Sequence, residues 1–354
     1  MAKKALIAMS GGVDSSVAAY LMQKQGYDCV GVTMKLYDND DIGIKCEKTC
    51  CSLSDIEDAR SVAYKLNMPY YVFNFKDDFK DKVIDPFIRS YQNGMTPNPC
   101  IECNRHLKFE HLYKRAKALG CDVIVTGHYA RVVKEGDRYQ LRKGLDDSKD
   151  QSYVLYSMTQ DQLAHTVFPL GEYKKTEIRK IAEEAGFFNA HKHDSQDICF
   201  IPDGDYHKFI EETTGEKSVP GNFVDTEGNV IAQHKGYYCY TVGQRRGLGI
   251  SAPEPYYVLE IRPKTNEVVI GHNDELFRND LIADDFNWIE DAALDEVIEG
   301  RIRYHQVDKP CTVRKMDDGR VAIHFLEPMR AITKGQAVVV YRGDHVVGGG
   351  TIVG

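Results

Sequence analysis

Residues 4–16, KALIAMSGGVDSS, constrain this chain more than any other stretch. The apolar run over 4–8 predicts a strand buried on both faces. Ser10, Gly11 and Gly12 then make a tight turn, and Val13, Val17, Ala18 and Leu21 recur at helical spacing. A strand feeding a helix through two glycines lets the backbone approach a phosphate, and the first-turn N–H groups with the helix dipole favour an anion. Ser10, Ser15 and Ser16 add hydroxyl donors. The Lys of a Walker A loop and the third glycine of a dinucleotide fingerprint are missing, so neither motif fits. The plainer alternative is a glycine turn before an ordinary helix, with Asp14 favourably placed in its first turn.

The downstream pattern repeats this unit. Strands are expected at 29–36, 70–75 and 122–126, and helices at 54–66, 79–91 and 105–119. Ser54 and Glu57 have capping-box spacing, and Gly120 stops the third helix. Residues 38–51 read as a loop. Alternating strands and helices predict an α/β fold with a doubly wound parallel sheet and ligands at the carboxyl ends of its strands. Met34, Gly127 and the glycine loop cluster there on that reading. Residues 130–133 and 139–143 read as a hairpin, and 174–185 as a helix closed by Gly186. Beyond 209–214 helical periodicity nearly vanishes, and short strands alternate with glycine turns. The expected division is 1–208, a small β-rich central domain over 209–275, and a C-terminal β-barrel over 276–354.

The 354 residues suffice for two or three domains. A net charge of −8 provides no global attraction for nucleic acid, so any such binding rests on local basic patches. No stretch resembles a signal peptide and no apolar run is long enough to span a bilayer, which predicts a cytoplasmic protein without membrane partners. Ten cysteines then read as thiols, ligands or catalysts rather than structural disulfides. Cys29, Cys121, Cys239 and Cys311 lie in strand-like runs and read as small buried hydrophobes. Cys46, Cys50 and Cys51 have no nearby His and read as structural or incidental.

Two thiol sites stand apart. In Thr96-Pro-Asn-Pro-Cys100-Ile-Glu-Cys103-Asn104 the prolines disfavour helix, so Cys103 is expected near the start of the next one. A helix N-terminus lowers a thiol's pKa, and Arg105, His106 and Lys108 would add to that. The CxxC spacing alone allows a redox pair, half a zinc site or iron–sulfur ligands. The second site is Cys199, closing the polar run from His193. Asp194 and Asp197 in that run read as caps or solvated groups.

SGGVDSS is similar to the pyrophosphate loop of the PP-loop ATPases, which split ATP into AMP and pyrophosphate to adenylate a substrate. With TPNPCxxCN, TGHYAR, KDQSYVLY, SQDICF, GQRRGLG and RIRY following in order, the chain from residue 4 nearly to its end resembles the tRNA-specific 2-thiouridylases. That resemblance implies conversion of the wobble uridine to 2-thiouridine. ATP would lie on Ala8, Met9, Ser10, Gly11, Gly12, Val13, Asp14, Ser15, Met34 and Gly127, with Asp14 helping to hold magnesium. Asn98, Pro99 and Cys100 would meet the target base. Cys103 would be the nucleophile, and Cys199 would carry sulfur as a persulfide, with a Cys103–Cys199 disulfide left after turnover. His128, Lys149, Asp150, Gln151, Arg303, Tyr304 and Gln336 would touch tRNA.

Many family members have Asp at the position of Cys100. Here Cys100, Cys103 and Cys199 supply three thiols, so an iron–sulfur cluster is the open alternative to the persulfide. The family also implies Lys, Glu and Gln tRNAs as substrates, and a cysteine desulfurase or sulfur-relay protein as donor. From the residues themselves, Arg245-Arg246 between glycines suits a phosphate backbone. Arg301, Arg303, Tyr304 and His305 suit either an RNA contact or one solvated strand face. Two other readings use the same motifs. A PP-loop synthetase would need neither Cys103 nor Cys199, and a non-catalytic RNA-binding protein would release no pyrophosphate.

Overall fold

The computed structural model of the chain describes residues 2–38, 53–192, 198–293 and 296–354. The chain divides into two units. The first comprises Met1–Val83, Pro99–Asp205 and Asp344–Val346, and the second Ile84–Asn98, Tyr206–Gly343 and Val347–Gly354.

In the first unit β1 (Lys4–Ala8) leads through the glycine turn into α1 (Val13–Lys24), followed by β2 (Asp28–Lys35), α2 (Leu53–Lys65), β3 (Tyr70–Asn74) and β4 (Val123–Val125). The hairpin β5 (Ala130–Glu135) and β6 (Arg138–Lys143) precedes β7 (Thr166–Val167) and α3 (Lys175–Glu184). The sheet order is β3-β2-β1-β4-β7, and every neighbour is parallel. Chain order reverses between β1 and β4, and that switch point opens a crevice at the strands' carboxyl ends. The turn after β1 and Gly127 after β4 are therefore brought to the same place.

The apolar run of β1 is buried because it is the central strand, with Ala5, Leu6 and Ile7 fully inaccessible. Val17, Ala18 and Met22 of α1 join Ala59, Val62 and Ala63 of α2 and Ile178 and Ala182 of α3 in one core. Each fully buried Val, Ile or Met there contributes about 1.5–3 kcal/mol.

Three local expectations need correction. α2 starts at Leu53, so Ser54 lies inside the first turn rather than capping it. The helix expected over 79–91 is three consecutive pieces, Lys76–Phe79, a π-helical Lys80–Ile84, and Asp85–Gln92. The helix expected over 105–119 begins earlier, at Pro99–Glu102, winds as a π-helix over Cys103–Leu112, and ends as Tyr113–Ala118 before Gly120 at φ 67°. A proline is tolerated in a first helical turn, where its missing N–H has no intrahelical partner to lose.

In the second unit β8 (Gly221–Val224), β9 (Val230–His234), β10 (Tyr257–Arg262) and β11 (Glu267–Gly271) form a four-stranded sheet in the order β10-β11-β8-β9. It packs over Phe223, Tyr240, Val258, Val268 and Ile270. β12 (Phe277–Trp288), β13 (Ile298–Arg301), β14 (Lys309–Lys315), β15 (Val321–Arg330), β16 (Ala337–Arg342) and β17 (His345–Ile352) follow. They run in the order β12-β15-β14-β13-β16-β17, and pairing of β12 with β17 closes an antiparallel barrel. Closure leaves no unpaired edge. Its interior holds Cys311, Phe325, Val338, Val340 and Val347. Cys29, Cys121, Cys239 and Cys311 are all buried. No helix among the described residues is long and apolar enough to cross a membrane.

Candidate active site

The glycine turn is a backbone cradle. Gly11 has φ 74°, and a side chain there would also overlap the carbonyl oxygen of Asp55. Gly12 caps α1, and among the described residues it makes no side-chain cap hydrogen bond, which leaves the helix's first-turn N–H groups suited to an anion. Ser15 Oγ accepts the Ser10 N–H at 3.2 Å and donates to the Gly12 carbonyl at 3.0 Å, tying the turn to the first turn of α1. From below, Asn189 Nδ2 donates to the Gly11 carbonyl at 3.0 Å and to Ser16 Oγ at 2.9 Å. Lys192 Nζ bonds Asp55 and Asp58, both at 2.6 Å. Gly127 permits β4 to close on this turn, since a Cβ there would lie 3.0 Å from the backbone of Asp14 and Ser15. Met34 lies half-buried on β2 opposite Phe73.

Asp14 is already engaged. Lys175 Nζ contacts its two oxygens at 2.7 and 2.8 Å, and the Tyr129 hydroxyl donates to Oδ1 at 2.8 Å. Lys175 is buried, with its ammonium 5.7 Å from the Tyr129 ring centre. Lys175 thus places a cation against Asp14 in this loop. Among the described residues no group of three or more His, Cys, Asp or Glu could hold a metal ion.

The thiols occupy different settings. Cys100 is exposed near the helix start, whereas Cys103 opens the π-helix one turn in and is half-buried. The expected lowering of its pKa is reversed, because burial pushes the Cys103 thiol up and Lys108 pulls it down less strongly. Cys199 is half-buried; the Tyr37 hydroxyl donates to its carbonyl at 2.7 Å, and neighbouring Phe200 packs edge-on against Phe79. Cys46, Cys50, Cys51, Asp194 and Asp197 lie outside the described residues.

Residues 3–203 match a family model described as a tRNA methyl transferase HUP domain, 207–272 a tRNA methyl transferase PRC-barrel domain, and 278–352 an aminomethyltransferase beta-barrel domain. A protein from Lachnoclostridium phytofermentans named tRNA-specific 2-thiouridylase MnmA is 52% identical over 355 residues, covering 99% of each chain. One of the same name from Clostridioides difficile is 50% identical over 356 residues, covering 99% of this chain and 98% of that one. The chain belongs to the tRNA-specific 2-thiouridylase family. The model descriptions speak of methyl transfer, but full-length likeness at half identity is the more specific finding.

Membership in the thiouridylase family sharpens the reading of the remaining candidates. In the first unit Asp150 is buried as a turn organiser, accepting the N–H groups of Gly144 and Ser152 and the Ser152 hydroxyl. Gln151 pairs reciprocally with the backbone of Tyr129, and Lys149 is half-buried. His128 is only 8% exposed, with Phe109 and Phe168 packed against its ring.

In the second unit β13 ends at Arg301, whose guanidinium pairs with Asp308 at 2.5 Å. Arg303, Tyr304 and His305 thus sit in a turn, not on a strand face. Arg303 Nη2 donates to the Val242 and Ala331 carbonyls and to Thr333 Oγ1. Gln336 Nε2 donates to the Thr96 carbonyl at 2.9 Å, holding the loop that carries Asn98. Pro99 is buried and Asn98 half-buried. Sequence reasoning missed Lys175, Asn189 and Lys192. For Lys175 the signal available was a lysine opening a predicted helix, where its charge opposes the helix dipole.

Proposed function

We propose that this chain is a tRNA uridine 2-sulfurtransferase that adenylates the wobble uridine with ATP and replaces its 2-oxygen with sulfur. A uracil carbonyl is a poor electrophile because its oxygen leaves badly. Attack of that oxygen on the α-phosphate of ATP converts it into an AMP leaving group and releases pyrophosphate, whose charge the α1 amides and Lys175 offset. Magnesium would screen the same phosphates when bound; no protein carboxylate is assigned to it.

Sulfur transfer uses two thiols. The terminal sulfur of a Cys199 persulfide attacks carbon 2 of the ring and AMP departs. The Cys103 thiolate then attacks Cys199 Sγ, and the S–S electron pair leaves with the sulfur now on uracil. This yields 2-thiouridine and a Cys103–Cys199 disulfide, which a thiol reductant must open before the next turnover. Alternatively, Cys103 attacks first and releases sulfide, which adds to the activated ring. Asn98, Pro99 and Cys100 meet the base, while Lys149, Arg303 and Tyr304 meet the RNA. Gln336 and His128 act by fixing neighbouring elements. The tRNAs are those of the Lys, Glu and Gln acceptors, and a cysteine desulfurase or relay protein supplies the sulfur.

The observation that carries this reading is the presence, in one folding unit, of an uncapped glycine-loop helix end and two separate half-buried thiols. Nucleoside mass spectrometry of bulk tRNA from cells with and without the protein tests it. Loss of 2-thiouridine derivatives on depletion is expected. Unchanged 2-thiouridine with another nucleoside missing would keep the adenylation and discard this substrate.

A further inference from the structure

We propose that Tyr37 is the positioning residue for the sulfur-carrying thiol: its buried hydroxyl, with the rings of Phe79 and Phe200, docks the Cys199 turn at the sheet edge that carries the glycine loop. This rests on the assignment of Cys199 as sulfur carrier, and it adds a residue that neither the nucleotide loop nor the thiol motifs contain.

Strand register places the dock. Ala8 of β1 pairs with Val32 of β2, and Thr33 Oγ1 donates to the Met9 carbonyl at 2.7 Å, so β2 runs on past Met34 on the side where the glycine turn begins. Lys35 pairs with Asn74 of β3, and the Phe75 N–H donates to the Lys35 carbonyl at 2.9 Å. Tyr37 and the short helix Lys76–Phe79 therefore both leave the sheet at the carboxyl ends of parallel strands, where such sheets bind their ligands. Asp38 ties the two together, since its carboxylate pairs with Lys35 at 2.5 Å and also with Lys76.

The thiol turn sits on this pair. The Ile201 N–H donates to the Ile198 carbonyl at 2.8 Å, which makes Cys199 and Phe200 the two central residues of a tight turn. Phe200 and Ile201 are buried, whereas Cys199 is half-buried. Phe200 stands edge-on to Phe79 with ring centres 5.6 Å apart, and Phe79 in turn lies 5.8 Å from the Tyr37 ring. The Tyr37 hydroxyl donates to the Cys199 carbonyl at 2.7 Å, across 162 positions of chain. Tyr37 is only 3% exposed, and a tyrosine hydroxyl so buried requires a partner. Here that partner is the backbone of the reacting residue.

Transfer succeeds only if the terminal sulfur reaches carbon 2 of the activated ring, so the carrier must be held at the edge where ATP is split. Ring packing tolerates rotation, whereas a hydrogen bond to the Cys199 carbonyl specifies the orientation of its peptide and hence of the attached side chain. The same platform reaches the helix of the second thiol. Phe75 packs on His111 with ring centres 6.3 Å apart, and Asp78 Oδ1 lies 3.3 Å from His111 Nδ1. His111 belongs to the π-helix that opens with Cys103. Residues 75–79 thus touch both thiol-bearing elements.

The test compares two sulfur sources in single-turnover thiolation of a tRNA transcript with uridine at the wobble position, with pyrophosphate release as the reference for activation. In one arm the full chain is first persulfidated by a cysteine desulfurase and free cysteine, and product is normalised to the persulfide found at Cys199 by mass spectrometry. In the other the uncharged chain receives sulfide. Hydrosulfide adds to carbon 2, AMP departs with the 2-oxygen and the added proton passes to solvent, without use of Cys199. Tyr37→Phe, which keeps the ring, should slow the persulfide arm about tenfold and leave the sulfide arm and pyrophosphate release unchanged. Its melt should fall by no more than about 4 °C. Phe79→Leu should show the same split to a smaller degree, and decides the question if Tyr37→Phe fails to fold. Tyr71→Phe, which removes an exposed hydroxyl from β3, should leave both arms unchanged. Parent rates in the persulfide arm for a folded variant, or equal slowing of transfer and pyrophosphate release, would overturn the proposal. A parent that thiolates only with sulfide would instead overturn the carrier assignment, and one that thiolates in neither arm the sulfurtransferase reading, so the failures are separate.

Discussion

The two ends of the first unit are built on opposite principles. At the pyrophosphate loop charged and polar groups are mostly paired: Asp14 with Lys175 and Tyr129, Lys192 with Asp55 and Asp58. At the thiol end Cys103 is pushed away from its reactive form by burial, and the neighbouring Asn104 keeps a buried Oδ1 with no hydrogen-bond partner among the described residues. Asn189 Oδ1, beneath the loop, is the exception on the first side. Binding an anion rewards a rigid, pre-paired cradle, whereas a reacting group must remain short of its most stable state.

Removing the sulfur of either proposed reacting thiol should give the largest effect. Cys103→Ser and Cys199→Ser should each reduce thiolation below detection while keeping much of the tRNA affinity, measured by nucleoside mass spectrometry beside filter binding. Pyrophosphate release that persists in both variants would sharpen the contrast by separating adenylation from sulfur transfer. Full thiolation by either would break it.

The next largest effect should come from Gly11→Ala, which forces a Cβ into a left-handed conformation against Asp55. A loss of roughly 2–5 kcal/mol in stability or ATP binding is expected, read by thermal melts and nucleotide titration. Lys175→Met leaves Asp14 without its main partner. Because Asp14 is partly exposed and keeps Tyr129, the expected loss is about 2 kcal/mol, below the range for a fully buried pair. An unchanged melt and unchanged ATP affinity would show that the loop does not depend on internal pairing.

The smallest effect concerns His106, whose pKa is raised by Glu102 first and also by Glu110, against the opposing cost of burial. A group raised on folding stabilises the protein fully below its unfolded value, about 6.5, and loses that contribution as pH rises through the higher folded value. Melts of the parent should therefore fall more steeply than those of His106→Gln across that window. Parallel curves would mean that the contacts of His106 with Glu102 and Glu110 do not secure the π-helix that carries Cys103.

Much of this molecule was legible because the informative signals are local. An apolar run, two glycines and a helical repeat determine β1, the turn and α1 whatever lies elsewhere, and loss of helical periodicity announces the change to β structure after 209–214. Hydrophobic period does not separate a π-winding from an α-helix over ten residues, so the placement of Cys103 one turn inside the helix was not readable. The same limit hid the burial of His128 and Asp150, whose polar character resembles that of a surface loop until their partners are known.

The sequence alone determined that a strand enters a glycine turn and a helix, that thiols stand at 100, 103 and 199, and that the chain has family motifs from end to end. These follow from covalent neighbours and short periods. Tertiary structure alone decided that Lys175 reaches Asp14 across 161 positions, that Asn189 holds Gly11, and that His128 turns inward to Lys108. Such pairings depend on the order in which strands assemble, and desolvation sets the chemistry of each group only after that assembly has excluded water.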